Sequence, residues 1–297
     1  MGFFIKDGRL RPTWRVLLYL VAYFVGQFLA QVPIGIAYGA YLLSRNVEEI
    51  ALERLPFPLL ILAALASLLA VMAITWVFRR FLDRGTLLGL GLQRSKRWLR
   101  EIGTGLALGL LLMAFIFGLE WTLGWVRIEG FAWHRQPLMT LVGILLGYTS
   151  FYTFVAFSEE LAFRGYILQN LRKEWGTLVA LLASSFLFAL LHGLNPHFTP
   201  LALVGIALAG VFMAYGYLLS GSLWLPIAFH FAWNFAQGPL FSFPVSGLAS
   251  EGLFLLERRD SPSLITGGAF GPEGGLLGVT ALLLGLLLLW LWSKRNA

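Results

Sequence analysis

The chain has 297 residues, 58% hydrophobic and only 12% charged, with a mean hydropathy of +0.77, whereas a soluble globular chain carries roughly 45–50% apolar and about 25% charged residues. Soluble globular, disordered, collagenous and coiled-coil classes are therefore excluded, and the absence of cysteine removes disulfides, thiolate nucleophiles, Cys-type zinc sites and iron–sulfur clusters. The net charge of +7 is read as the basic loops of a polytopic membrane protein, not as a nucleic-acid surface.

In chain order, charge-poor stretches near the roughly 20 residues of a spanning helix predict eight transmembrane helices, at about 16–43, 55–78, 102–121, 137–159, 177–194, 200–219, 223–243 and 275–292. The expected fold is all-α, a polytopic membrane protein forming a single membrane domain over 1–297. No Asp, Glu, Lys or Arg occurs between Glu174 and Glu251, a run that only repeated bilayer crossings can hide.

Lys6, Arg9, Arg11 and Arg15 precede the first span, which reads as an uncleaved anchor. Loop 79–101 holds Arg79, Arg80, Arg84, Arg94, Lys96, Arg97 and Arg100 against Asp83 and Glu101, loop 164–174 holds Arg164, Arg172 and Lys173, and the tail ends in Lys294 and Arg295. Loop 44–54 carries Glu48, Glu49 and Glu53 against Arg45 and Arg54, 120–136 is balanced, and 251–273 is acidic with Glu251, Glu257, Asp260 and Glu273. This alternation fits eight crossings with both termini in the cytoplasm. A high Arg to Lys ratio and the lack of cysteine are compatible with a prokaryotic plasma membrane.

Segment 84–100, with Leu87, Leu88, Leu90, Leu92 and Trp98 among Arg and Lys, is expected to lie along the interface as an amphipathic helix. The run Gly105–Phe115 echoes Gly205–Tyr215. Small residues such as Gly205, Ala209 and Gly210 explain that echo by close helix packing better than a transporter-type repeat does.

An ionisable side chain at the centre of a spanning helix costs about 2.5–3.5 kcal/mol, so each one retained there points to function. Those retained here are Glu159, Glu160 and Arg164, then His192, then His230 with Asn234. Residues four apart share a helix face, which pairs Glu160 with Arg164, Phe188 with His192 and His230 with Asn234. Glu159 points about 100° away from Glu160, so one carboxylate can pair with Arg164 while the other faces a cavity. Glu159 lies 17 residues before Gly176 and His192 lies 16 after it, so the two come level on a helical hairpin turning there. His230, eight residues beyond Ser222, is then too shallow unless the hairpin tip projects past the membrane.

The chain has no His-Glu-x-x-His, no Asp inside a span, since Asp occurs only at Asp7, Asp83 and Asp260, and no Gly-x-Ser-x-Gly. A carboxylate, two imidazoles and an amide remain, enough to hydrolyse an amide with activated water. Glu serves as general base, one His shares its proton, and the other His with Asn stabilises the oxyanion. The same Glu and His side chains suit a divalent metal such as zinc, and the residues leave both readings open. His134 and His197 read as loop or interface residues.

The motifs Glu-Glu-x-x-x-Arg at Glu159, Glu160 and Arg164, Phe-x-x-x-His at Phe188 and His192, and His-x-x-x-Asn at His230 and Asn234 resemble the CAAX protease and bacteriocin-processing family of intramembrane endopeptidases. That family includes the Ras-converting CAAX prenyl endopeptidases and the bacterial Abi-type proteins. The resemblance covers about 145–245 and implies a protease in which Glu159 and His192 activate water, His230 and Asn234 hold the oxyanion, and Glu160 with Arg164 supports Glu159. Members of that family are often described as metalloproteases, the other account using the glutamate without metal; no obligatory cofactor is expected here, and a divalent metal such as zinc, where present, falls to Glu159, His192 and His230. The implied substrate is a membrane-attached protein or lipidated peptide, such as a prenylated CAAX-type C-terminus, reached within the bilayer from the cytoplasmic side, with no role for nucleic acid. A proton-coupled transporter and a non-catalytic assembly or immunity protein are the alternatives that the same intramembrane residues admit.

Overall fold

In lipid a backbone can satisfy its polar groups only within helices or closed barrels. The computed structural model of the protein, which describes residues 2–6, 8–45 and 55–294, builds its apolar runs into helices. Asp7, the charges Glu48, Glu49, Glu53 and Arg54, and Arg295 lie outside the described residues.

The helices are α1 (Pro12–Ser44), α2 (Phe57–Val77), α3 (Trp98–Thr122), α4 (Leu138–Glu160), α5 (Gln169–Leu191), α6 (Pro200–Ser220), α7 (Trp224–Phe235), the short α8 (Ser263–Thr266) and α9 (Leu276–Lys294). Two small antiparallel pairs decorate them, β1 (Ile5–Lys6) with β2 (Arg9–Leu10), and β3 (Val126–Phe131) with β4 (Phe254–Arg258). The fold is all-α and the protein is a multi-pass membrane protein. Among the described residues six helical stretches are long and apolar enough to cross a bilayer. One of them, Leu138–Leu194, is 57 residues long and turns back at Gly176, whose φ of 77° and ψ of 172° are outside the helical range, so it supplies two antiparallel rods. The eighth rod is α7, twelve residues extended by the π-helical turn Ala236–Leu240 and too short to be counted by length.

Helix α4 does not stop at Glu160: the chain runs through a π-helical stretch, Leu161–Leu168, every residue of which is buried, into α5. Gly165 packs against Leu223 at the start of α7, where a Cβ would come within 3.4 Å of the leucine side chain. The hairpin tip at Gly176 therefore projects about 16 Å beyond the start of α7, at 1.5 Å per residue. That projection removes the apparent mismatch in depth between His192 and His230. At the tip, Glu174 accepts hydrogen bonds from Arg11 and from the backbone and hydroxyl of Thr13, while Asp83 is held by Arg15, Arg79 and Asn170.

Segment 84–100 is not an amphipathic interfacial helix. It holds only a 3-10 turn at Leu88–Leu90 before α3 begins at Trp98, and it is tied inward. Leu90 is buried and its carbonyl accepts from Gln169, and the Gly91 carbonyl accepts from Leu223 N. Closing these carbonyls on α5 and α7 satisfies backbone groups that an isolated turn would leave to water.

The glycines of the two echoing runs serve different neighbours. Gly105 and Gly109 let α3 press against α7: a Cβ at 105 would lie 2.4 Å from the Leu225 carbonyl, and one at 109 would lie 2.7 Å from the Ala232 Cβ. Gly205 instead receives the backbone of Glu273, whose carbonyl oxygen would be 1.9 Å from an added Cβ. Small residues thus set helix spacing here, with no repeat required. Gly105→Ala is expected to push α7 off α3 and to cost about 1–3 kcal/mol, as overpacking does. The measurement is thermal unfolding in detergent beside Gly103→Ala, whose added Cβ meets nothing within 4 Å.

Candidate active site

Four rods converge on one buried network. Arg164, on the π-helical continuation of α4, is 1% exposed at its side chain and donates to Glu160 Oε1 at 2.9 Å, and Glu160 is fully buried. The guanidinium also donates to the Gly210 carbonyl of α6 at 3.1 Å and sits 4.4 Å above the Phe188 ring of α5. The same Glu160 Oε1 meets His230 Nδ1 of α7 at 3.1 Å. Gly210 lacks a Cβ because Ser185 of α5 passes within 2.9 Å of where it would be, which keeps α6 close enough for the carbonyl to be reached.

The hydrogen bonds fix the imidazoles. A carboxylate accepts only, so His230 Nδ1 donates to Glu160 and, in the neutral ring, Nε2 carries the lone pair. That Nε2 faces Glu159 Oε2 at 3.8 Å, too far for a direct hydrogen bond but close enough for one water to contact both. His192 Nδ1 donates to the Phe188 carbonyl at 2.9 Å, which leaves its Nε2 as an acceptor. Glu159, with 22% of its side chain exposed, points away from Arg164 and lines a cavity.

This cavity, of about 240 Å³, gathers Glu159, His192, His230 and Asn234 from α4, α5 and α7. Glu160 and Arg164 lie behind its wall. Tyr148, Tyr152 and Trp233 complete its apolar lining, and no Lys or Arg lines it. Glu159 also lines two further recesses beside Tyr23 and Gln27 of α1.

The cavity does not lead toward the ends that carry the basic loops. On that side Phe163, Tyr166 and Leu168 are buried and Tyr166 stacks on Tyr19 at 4.2 Å, closing the path. The lining continues the other way, to the partly or well exposed Asn195, Leu248 and Ala249. The π-helical stretch Leu161–Leu168 is buried along its whole length on the side of the cavity nearer the hairpin tip.

Asn195, Ser246, Ser250 and Glu273 are polar residues of the lining that carry no sequence motif. Glu273 sits in Gly271-Pro-Glu-Gly-Gly275, and its position among glycines just before a span is the one signal that could have set it apart from the acidic loop 251–273. Burial pushes its carboxyl up from the ordinary range, against hydrogen bonds from Ser246 and the pull of the His192 and His230 rings. His197 lies on a loop, and His134 stacks its edge on Phe131 and Trp133; neither lines the cavity.

Glu159, His192 and His230 are the donors a metal would use, but among the described residues no three His, Cys, Asp or Glu side chains are placed to hold one. The arranged groups instead suit hydrogen bonding to a water and a carbonyl: one solvent-reached carboxylate, two Nε2 acceptors and the Asn234 amide.

Residues 142–236 match the model of the type II CAAX prenyl endopeptidase Rce1-like family. That segment spans α4 to α7 and carries Glu159, Glu160, Arg164, His192, His230 and Asn234, and in it the chain is similar to CAAX prenyl endopeptidases. Ser246 and Glu273 lie beyond the matched residues. No curated protein and no solved structure gives a significant match to the chain.

Removing one partner of a buried ion pair strands the other, at about 3–5 kcal/mol. Glu160→Ala and Arg164→Ala are each expected to lose that much stability, and the double substitution much less than their sum. Denaturant unfolding of the three variants in micelles measures the difference.

Proposed function

We propose that the protein is an intramembrane endopeptidase that hydrolyses a peptide bond of a membrane-attached protein, with a prenylated CAAX-type C-terminus as the substrate class. The observation carrying this reading is the placement of Glu159 Oε2 3.8 Å from a His230 whose other nitrogen is anchored on Glu160. A water held by Glu159 and His192 loses a proton to the carboxylate as its oxygen attacks the carbonyl carbon. The proton passes to His230 Nε2, and the resulting imidazolium, paired with Glu160, donates with the Asn234 amide to the oxyanion. The leaving nitrogen takes that proton from His230 Nε2 as the C–N bond breaks, which returns the ring to its neutral form and releases a carboxylic acid and an amine that exchange a proton to give R–COO⁻ and R′–NH3⁺.

The donor chemistry of Glu159, His192 and His230 would let a bound zinc lower the pKa of a water; the steps above use only the chain's own groups. The distribution of basic loops supports both termini in the cytoplasm of a prokaryotic cell, and the recesses beside α1 would give a lipid-anchored segment a way to Glu159.

Cleavage of a farnesylated CAAX reporter peptide by the purified protein in nanodiscs is expected, and Glu159→Gln is expected to slow it about a hundred- to ten-thousandfold. Full activity of that variant overturns the assignment. Loss of activity with a chelator, restored by zinc, would put a metal on Glu159, His192 and His230 in place of direct water activation.

A further inference from the structure

The strongest feature outside the matched segment is the acidic group that enters the cavity from the chain just before α9. Glu273 is 6% exposed and shares the cavity lining with Glu159, His192, His230 and Asn234. Both of its hydrogen bonds come from Ser246, from the backbone N at 2.9 Å and from the hydroxyl at 2.8 Å, and both reach Oε2. Among the described residues Oε1 receives no protein hydrogen bond, and no Lys or Arg lines the cavity to balance the charge. Burial favours the neutral form of this carboxyl, and a cation arriving at its free oxygen is what favours the ionised one.

The clamp itself is built with strain. Val245 and Leu248 exchange two backbone hydrogen bonds of 2.9 Å around Ser246 and Gly247, which both have positive φ, 48° and 85°. This is a type I′ turn, whose first central position favours Asn, Asp or Gly. A serine there is strained, and its hydroxyl donates to Glu273. Asn195 Nδ2 holds the Ser246 carbonyl at 3.0 Å, and Gly247 packs so closely on Pro196 that a Cβ would lie 1.9 Å from its carbonyl oxygen. Gly205 and Gly278 receive the backbone of Pro272–Glu273 with similar closeness. The carboxylate is thus fixed from three sides with one oxygen left to the cavity.

Peptide hydrolysis, R–CO–NH–R′ + H2O → R–COO⁻ + R′–NH3⁺, forms a C–O bond, breaks the C–N bond and leaves the nitrogen of the departing fragment as an ammonium. Glu159 and both imidazoles are occupied with water and oxyanion in the protease reading, on which this inference rests. We infer that Glu273 receives the nitrogen side of the cleaved bond: its free oxygen accepts from the scissile amide N–H and then pairs with the ammonium of the released fragment. The ligand class of this subsite is a primary ammonium at the start of a short peptide.

The experiment uses the same nanodisc cleavage assay, with the released fragment added back as an inhibitor in two forms, free amine and N-acetylated. For wild type the free amine is expected to inhibit at least about tenfold more strongly, as a charge-assisted hydrogen bond would give. Glu273→Gln keeps an oxygen for both Ser246 hydrogen bonds but loses the charge. It is expected to abolish the preference for the amine and to lower kcat/KM about ten- to a hundredfold. Wild type that cleaves the reporter but does not distinguish the two fragments overturns the inference and leaves the protease reading standing, as does a Glu273→Gln variant with unchanged kcat/KM and preference. If Glu273→Gln loses its thermal transition, the wild-type ratio of the two inhibition constants decides alone. Wild type that cleaves no reporter removes the protease reading and this subsite with it.

Discussion

A guanidinium buried in the middle of a membrane protein has to be neutralised, and the way Arg164 is neutralised arranges the rest of the site. Its charge is met by Glu160 one helical turn back, its second nitrogen by the Gly210 carbonyl, and its face by the Phe188 ring. Each partner belongs to a different rod, so α5 and α6 are pinned to the continuation of α4 by a single side chain. Desolvating such a pair gains little stability by itself; what it secures is position. Glu160 Oε1 is shared between Arg164 and His230, so the ring of α7 is oriented by the same charge that the arginine requires.

Adjacent carboxylates come to different tasks because of helical geometry alone. Glu160 turns inward to the ion pair and is sealed from solvent, while Glu159, about 100° around the helix, keeps 22% of its side chain exposed and reaches the cavity. The π-helical stretch that follows buries Leu161–Leu168 and stacks Tyr166 on Tyr19. That plug closes one end of the cavity and leaves the other to the segment between α7 and α9. A lid of irregular backbone is tolerated at this depth because it is buried in protein rather than exposed to lipid.

The helices and the six motif residues were legible because they depend on local rules. Apolar length marks a span, four-residue spacing marks a shared face, and a charge inside a span stands out against its surroundings. Glu160 with Arg164, and His230 with Asn234, are pairs of this kind. The depth match of Glu159 with His192 followed from counting residues on either side of Gly176, and the projecting hairpin tip follows once Leu223 is seen against Gly165. Segment 84–100 misled because leucines among arginines are also what a chain shows when its carbonyls are tied to Gln169 and Leu223. The packing of Phe163, Tyr166 and Leu168 was hidden for a related reason: in sequence they are ordinary apolar positions.

Glu273 was illegible for a different physical reason. Its neighbours in space, His192, Ser246 and Gly205, are 81, 27 and 68 residues away in sequence, so no periodicity reports them. Its neighbours in sequence are glycines, present because backbone must pass backbone: Gly205 and Gly278 admit the main chain of Pro272–Glu273, and Gly247 admits Pro196. Close backbone packing of this sort leaves a compositional trace, a charge among glycines beside a span, but not a partner. The motif helices bring carboxylate, imidazole and amide groups to the cavity, and a tightly packed connection that carries no motif brings one more carboxyl. The chemistry of the cavity is therefore divided between residues set by helical spacing and one set by the path of a loop.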